Sequence, residues 1–165
     1  IRALVHVRRV VPEAALVVAG DGPCRDEWEA LARDVGVSDD VFFVRDVRSD
    51  ELPAVYDAMD VFALPTHTRK LGVDVEGLGI VFLEAAATGV PVLVGASGGS
   101  VDAVLPGITG ELIDTDPASI AAEVIELAND DDKRRRMGTA GRQWMRDDWQ
   151  WSDRAASVTK LLAAH

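Results

Sequence analysis

Four short apolar runs constrain this chain more than any other feature: ALVVA at residues 15–19, VFFV at 41–44, VFAL at 61–64 and VLV at 92–94. Each is short, rich in β-branched or aromatic residues, and closed by glycine, proline or polar residues, as a buried parallel strand is. Between them lie segments with apolar residues at helical spacing. Residues 1–11 carry Leu4, Val5, Val7, Val10 and Val11, and Pro12 ends that helix. Residues 26–35 place Trp28, Leu31, Ala32 and Val35 on one face, with Gly36 as the stop. A third helix runs to Met59 behind a Ser49 or Asp50 cap, with Leu52, Val55, Tyr56 and Met59 facing inward. This alternation predicts an α/β fold built on a parallel sheet with helices on both faces. Loops that follow parallel strands share one edge, and ligands bind there. The loops at 20–23, 45–49, 65–79 and 95–100 therefore frame the candidate site.

The third of these loops is the most informative. It runs into VDVEGLGIVFLEA at residues 73–85, where Glu76 and Glu84 bracket a glycine-flanked helix start. Gly77 and Gly79 let the backbone approach a ligand, and the first N–H groups of the helix stay unblocked. Those donors, with the helix dipole, seat a phosphate. Glu84 lies roughly 6–8 Å further along the axis at about 1.5 Å per residue. Carboxylates accept from hydroxyls, so one suits a sugar beyond the phosphate and the other a ribose before it. An isolated glutamate at a helix start is ordinarily a solvated charge. Here Ile80, Val81, Phe82, Leu83, Ala85, Ala86 and Ala87 surround Glu84. A helix apolar all round is buried, and its carboxylate requires a partner, a ligand hydroxyl among the candidates.

Two further glycine-rich turns sit at the same edge. Gly20-Asp21-Gly22-Pro23 follows the first strand and Ala96-Ser97-Gly98-Gly99-Ser100 the fourth; each serves as a simple turn or as a second contact for phosphate or sugar. Beyond them, residues 111–113 form a short edge strand, and Asp116-Pro117 caps a helix over 118–128. Asp130–Asp132 is a solvated helix start, and the basic run Lys133 to Arg136 faces solvent on a helix over 132–145. Trp144, Trp149 and Trp151 cluster before a final amphipathic helix at 153–162, capped by Ser152.

Composition removes several function classes. The chain has 165 residues, enough for one domain over 1–165, and a formal charge of −11. That charge opposes a nucleic-acid surface or docking on anionic lipid by this segment. Cys24 is the only cysteine, which fits a reducing cytosol. His6, His67 and His165 have no metal-ligand spacing with it, so no metal is expected.

These residues resemble the nucleotide-binding C-terminal domain of retaining glycosyltransferases of family 4, the C-terminal half of a GT-B fold with a Rossmann-like sheet. The Glu76–Glu84 pair matches the family's E-x7-E motif. Gly20-Asp21-Gly22-Pro23, Asp60-Val61-Phe62, Leu64-Pro65, Glu84-Ala85, Gly89-Val90-Pro91-Val92 and Ser97-Gly98-Gly99 fall in the family's order. The run from Thr68-Arg69 through Asp74 to Val81 resembles most the actinobacterial mannosyltransferases that use GDP-mannose to mannosylate phosphatidylinositol mannosides.

The resemblance implies roles. Glu76 is the catalytic-site carboxylate on the donor sugar, and the backbone of Gly77, Leu78, Gly79 and Ile80 meets sugar and diphosphate. Glu84 holds the ribose, Arg45, Asp46 and Val47 face the base, and Gly20 and Gly22 border the donor. Transfer retains configuration without a divalent metal. A UDP-sugar is the alternative donor. Family members also carry a phosphate-binding Arg and Lys ahead of this domain's first helix, and an N-terminal acceptor domain with a catalytic-site histidine. By that measure the chain is an inactive fragment of an enzyme at the inner membrane face that reaches its lipid acceptor through the other domain. Arg45 stands where the family often has glycine, which puts the base contact in question, and Asp102 where it often has glutamate.

Two other classes share features with this sequence. A phospho-receiver domain is also small, acidic and α/β, but needs an aspartate at a strand's C-terminal end, whereas Asp60 opens one. A sugar-nucleotide epimerase of the same architecture differs in its products, free nucleotide and epimerised sugar.

Overall fold

The computed structural model describes residues 1–68 and 75–163. Part of the polar loop expected over 66–74, including Arg69 and Asp74 of the family-like run, and His165 lie outside those residues. Among the described residues the chain forms α1 (Arg2–Val7), β1 (Leu16–Ala19), α2 (Arg25–Asp34), β2 (Val41–Val44), α3 (Leu52–Asp57), β3 (Phe62–Leu64), α4 (Ile80–Thr88), β4 (Val92–Gly95), β5 (Gly110–Ile113), α5 (Pro117–Asn129), α6 (Asp131–Asp148) and α7 (Trp151–Ala163).

Every strand pairing is parallel, but the strands form two sheets rather than the single one expected, with orders β1-β2 and β3-β4-β5. Alternation counts strands without saying which become neighbours. Here α3 packs against α4 in the core of the second sheet, and the chain leaves β2 to begin a new pairing with β4.

Strand β4 organises the larger sheet. All four of its residues are buried, which is why they read as an unbroken apolar run. Successive side chains leave opposite faces. Val92 and Val94 join Tyr56, Phe82, Ala85 and Val104 on one side. Leu93 meets Ile113, Leu127 and Met137 on the other. Helices therefore cover both faces. Full burial of a side chain such as Phe82 contributes about 1.5–3 kcal/mol. The smaller sheet has its own core, in which Leu4, Ala32, Val37 and Val41 pack with Leu16, Val18 and Phe43.

Several expectations are corrected. Helix α1 stops at Val7, well before Pro12, and Val10 is exposed. Its chain turns early because the Arg8 guanidinium reaches the Ala14 carbonyl at 2.7 Å and Asp40 at 2.8 Å. Trp28 is exposed, leaving Ala32 as the buried residue of α2. Neither Ser49 nor Asp50 caps α3: Asp50 pairs with Arg48, and the Arg48 N–H donates to Glu51. Ser152 lies inside α7 rather than capping it. Trp144 and Trp149 stack edge to face at 5.6 Å, whereas Trp151 is exposed.

The remaining helix starts agree with the sequence. Asp116 accepts from the Ala118 and Ser119 N–H groups, and Asp130 accepts from that of Lys133. The basic run on α6 is tied to acidic neighbours, Lys133 to Glu126 at 2.7 Å and Arg134 to Asp131 at 2.8 Å.

Candidate functional site at the amino end of helix α4

The ends of β3 and β4 are clamped by hydroxyls. The Gly95 carbonyl accepts from Thr66 Oγ1 at 3.0 Å and from Ser100 Oγ at 2.7 Å. Ser100 also takes the Ser97 N–H at 3.0 Å, one half of a capping box at the start of a 3-10 turn over Gly98–Ala103. Ser97 Oγ receives the Glu76 N–H at 3.3 Å and lies 3.2 Å from Thr68 Oγ1. The Glu76 carbonyl in turn accepts from the Gly99 N–H at 3.0 Å. This turn is the scaffold of the Glu76 loop. The two backbones are so close that a Cβ on Gly98 would sit 2.2 Å from the Glu76 oxygen, and one on Gly99 2.0 Å from that of Gly77. The sequence marked Ser97-Gly98-Gly99 as a turn or ligand contact and missed this buttressing role, although two adjacent glycines beside a strand end are a signal of close backbone approach.

Gly79 precedes α4 in the left-handed region, at φ 76° and ψ 58°, and no side chain caps the helix. A Cβ there would lie 2.5 Å from the Phe82 ring, so glycine is required on both counts. The Phe82 N–H turns back to the Gly79 carbonyl at 2.9 Å. Glu76 is half-buried and Gly77 exposed, and the Glu76 carboxylate holds the Gly77 N–H at 3.2 Å. Ile80 is exposed. Among the described residues, the helix therefore opens with no side-chain cap on its positive end, beside a carboxylate that accepts one weak local bond.

Glu84 lies one turn beyond Ile80 on the same face of α4. It is half-buried rather than enclosed, because Phe82, Ala85 and Ala86 form the buried side while Ile80 and Ala87 are exposed. Its partner is a protein group. The Tyr56 hydroxyl donates to Glu84 Oε2 at 2.9 Å, and no other hydrogen bond reaches Glu84 among the described residues. Burial first, then that bond and the carboxylate's charge, push the Tyr56 phenol well above its ordinary range, so it remains a donor. Tyr56 packs edge to face on Phe62 at 5.5 Å, and Phe62 on Phe82 at 5.7 Å. The sequence placed Tyr56 inward but gave it no role; a buried phenol's demand for an acceptor was the available signal.

The other candidates form a second group at the ends of β1 and β2. The Gly20 N–H donates to the Val44 carbonyl at 2.9 Å, and Asp21 approaches Arg45 and Arg25 at 4.0 Å each. Asp21 Oδ1 also takes the Gly22 N–H at 3.0 Å, which serves ordinary turn geometry. Arg45 is exposed, Asp46 adopts φ 52°, and Val47 is half-buried. No hydrogen bond or ion pair among the described residues joins this group to the Glu76–Glu84 group. Nor do those residues include a cluster of three or more His, Cys, Asp or Glu able to hold a metal.

Parallel strands joined through helices, with β4 buried on both faces and a glycine-led helix start at the carboxyl end of the sheet, define a Rossmann-like α/β domain. Residues 1–144 match the family model described as glycosyl transferases group 1, and the chain belongs to that family. Its fold is the C-terminal half of a GT-B glycosyltransferase. The chain is 48% identical over 164 residues to a GDP-mannose-dependent alpha-(1-6)-phosphatidylinositol monomannoside mannosyltransferase of Mycolicibacterium smegmatis, covering 99% of this chain and 43% of that protein. Sucrose-phosphate synthase from Thermosynechococcus elongatus superposes with a TM-score of 0.81 at 27% identity, over 99% of this chain and 42% of that one. The Anabaena HepE protein in complex with UDP superposes at 0.84 with 20% identity, over 99% and 44% of the two chains. The chain thus spans less than half the length of each of these three proteins. Membership sets aside the phospho-receiver reading, which Asp60 also fails: it stands before β3 and pairs with Arg134 at 3.6 Å.

Proposed function

We propose that this chain is the donor-binding part of a retaining mannosyltransferase that moves mannose from GDP-mannose to a phosphatidylinositol mannoside or related glycolipid. The observation that carries this reading is the 48% identity, over almost the whole chain, to an enzyme named for that donor and acceptor. The geometry supports it. The open start of α4 offers N–H donors and a positive dipole end to the diphosphate, where leaving-group charge develops in transfer. Glu76 contacts hydroxyls of the mannose, Gly77, Leu78, Gly79 and Ile80 line sugar and diphosphate, and Glu84 holds the ribose. Arg45, Asp46 and Val47 face the base, and Gly20 and Gly22 border the donor.

No divalent metal takes part in this proposal. A chain of charge −11 binds an anionic donor poorly by itself. The basic residues that family members place ahead of this domain's first helix complete the phosphate site, and the acceptor domain brings the lipid at the inner membrane face. No helix among the described residues is long and apolar enough to cross a membrane.

Saturation-transfer NMR of this chain with GDP, UDP and ADP tests the reading, because the method detects weak binding. Selective signal from GDP, strongest at ribose and base protons, is the expected result. A preference for UDP would move the donor to another sugar, and silence from all three would refute donor binding by this chain. In the intact enzyme, mannosyl lipid distinguishes transfer from epimerisation, which releases free nucleotide and epimerised sugar.

A further inference from the structure

We propose that Tyr56 is a positioning residue: its hydroxyl fixes the rotation of the Glu84 carboxylate, and thereby sets the preference of the site for a ribonucleotide over its 2′-deoxy counterpart. The inference rests on the assignment of Glu84 to the ribose. The last torsion of a glutamate is broad and two-fold, so a half-exposed carboxylate on a helix samples many orientations. One donor at 2.9 Å from Oε2 removes that freedom.

The donor itself is rigidly held. Tyr56 is 6% exposed and lies edge to face on Phe62, which lies edge to face on fully buried Phe82. The same ladder ends beneath Gly79, where the Phe82 ring occupies the space of a missing Cβ. Both ends of the candidate site, the glycine before α4 and the carboxylate one turn inside it, are thus referenced to one aromatic stack. With Oε2 engaged by Tyr56, Oε1 and the remaining lone pair of Oε2 present a fixed edge to a hydroxyl pair. A ribose fills such an edge with two donors; a 2′-deoxyribose supplies one.

The test compares GDP with 2′-deoxy-GDP on this chain and on its Tyr56→Phe variant, by competition in saturation-transfer NMR. Tyr56→Phe keeps the ring and its stacking and deletes only the hydroxyl. The chain as it stands should favour GDP by about tenfold, the usual worth of one hydrogen bond to a charged group. The variant should lose most of that ratio while still binding GDP. An unchanged ratio in a folded Tyr56→Phe variant overturns the positioning role and leaves the ribose assignment of Glu84 standing. Equal binding of the two nucleotides by the unmodified chain, or binding of neither, overturns that assignment and the inference with it.

A second measurement reads the pair without touching Tyr56, on a Glu84→Gln variant shown to be folded by its near-ultraviolet circular dichroism. Tyr56 is the sole tyrosine, so phenolate absorbance reports it alone. In Glu84→Gln its ionisation should fall toward the ordinary range, and an unchanged titration would show that the pair does not exist in solution.

Discussion

The Tyr56 hydroxyl and Glu84 Oε2 meet at 2.9 Å across the packing of α3 on α4. This contact makes stability depend on alkaline pH. The phenol is raised above its ordinary value of 10.0, first by burial and then by Glu84. A group whose folded value is raised stabilises the fold fully below its unfolded value and loses that contribution as pH climbs past it. The urea midpoint should therefore hold up to about pH 10, the unfolded value, and fall progressively above it. Tyr56→Phe should show a shallower fall over the same interval, since other groups titrating there are common to both proteins. Parallel curves for the two would show that the phenol is not perturbed.

Phe82 is the hinge of the aromatic stack. It is 0% exposed, so Phe82→Ala should cost about 3–5 kcal/mol, a large share of an ordinary domain's stability. Gly79→Ala should cost about 1–3 kcal/mol for the left-handed backbone alone. Its new Cβ would also press on the Phe82 ring. Because Phe82→Leu withdraws the ring edge, the Gly79→Ala, Phe82→Leu pair should be less destabilised than the sum of the single variants. Strict additivity in denaturant titrations would contradict the contact.

The Ser97 turn sets the height of the Glu76 loop. Ser97→Ala should cost about 1–3 kcal/mol by leaving the Glu76 N–H without its acceptor at a 3% exposed site. Gly99→Ala meets a backbone oxygen that has little room to yield, so nucleotide-sugar affinity should drop more than thermal stability does. Equal losses in both, measured by binding and melting on the same samples, would mean the turn serves the fold alone.

Asp116 predicts acid behaviour. Hydrogen bonds from Ser119, then Ala118, hold its carboxyl below the usual range at the start of α5. A depressed carboxylate stabilises the fold above its unfolded value, about 4, and that contribution disappears as pH falls through the folded value. Asp116→Asn retains an acceptor for the cap and should flatten the acid limb of the melting profile. Asp116→Ala should lower the melting temperature at neutral pH as well, and an unaltered neutral melting temperature would rule the cap out as a contributor.

The features visible in the sequence are local ones. Strands β1, β2, β3 and β4 were legible as short apolar runs, but the expected burial on both faces holds for β4 alone: Val17, Phe42, Val44 and Leu64 on the other three are exposed, because an apolar run does not say whether a second element will cover it. The α4 start was legible because Gly77 and Gly79 punctuate the chain just before an apolar helical run, and Gly79 takes the left-handed backbone that such a turn requires. What depended on distant pairs was not. Tyr56 and Glu84 are 28 residues apart, and the alternation of elements does not say that α3 will lie on α4. Ser97 holds Glu76 across 21 residues, so the loop and its support read as separate turns. Trp28 and Trp151 were misread for a related reason: helical spacing nominates a face, and only the neighbouring element decides whether it is covered.

The most direct test follows the backbone amides of this chain by two-dimensional NMR as GDP-mannose is added. Shifts concentrated on Gly77, Gly79 and Ile80, with Glu84 and Tyr56 next, are the predicted result. Shifts confined to α6 or α7, or none at ligand concentrations that saturate a weak site, would contradict a nucleotide-sugar site at the start of α4.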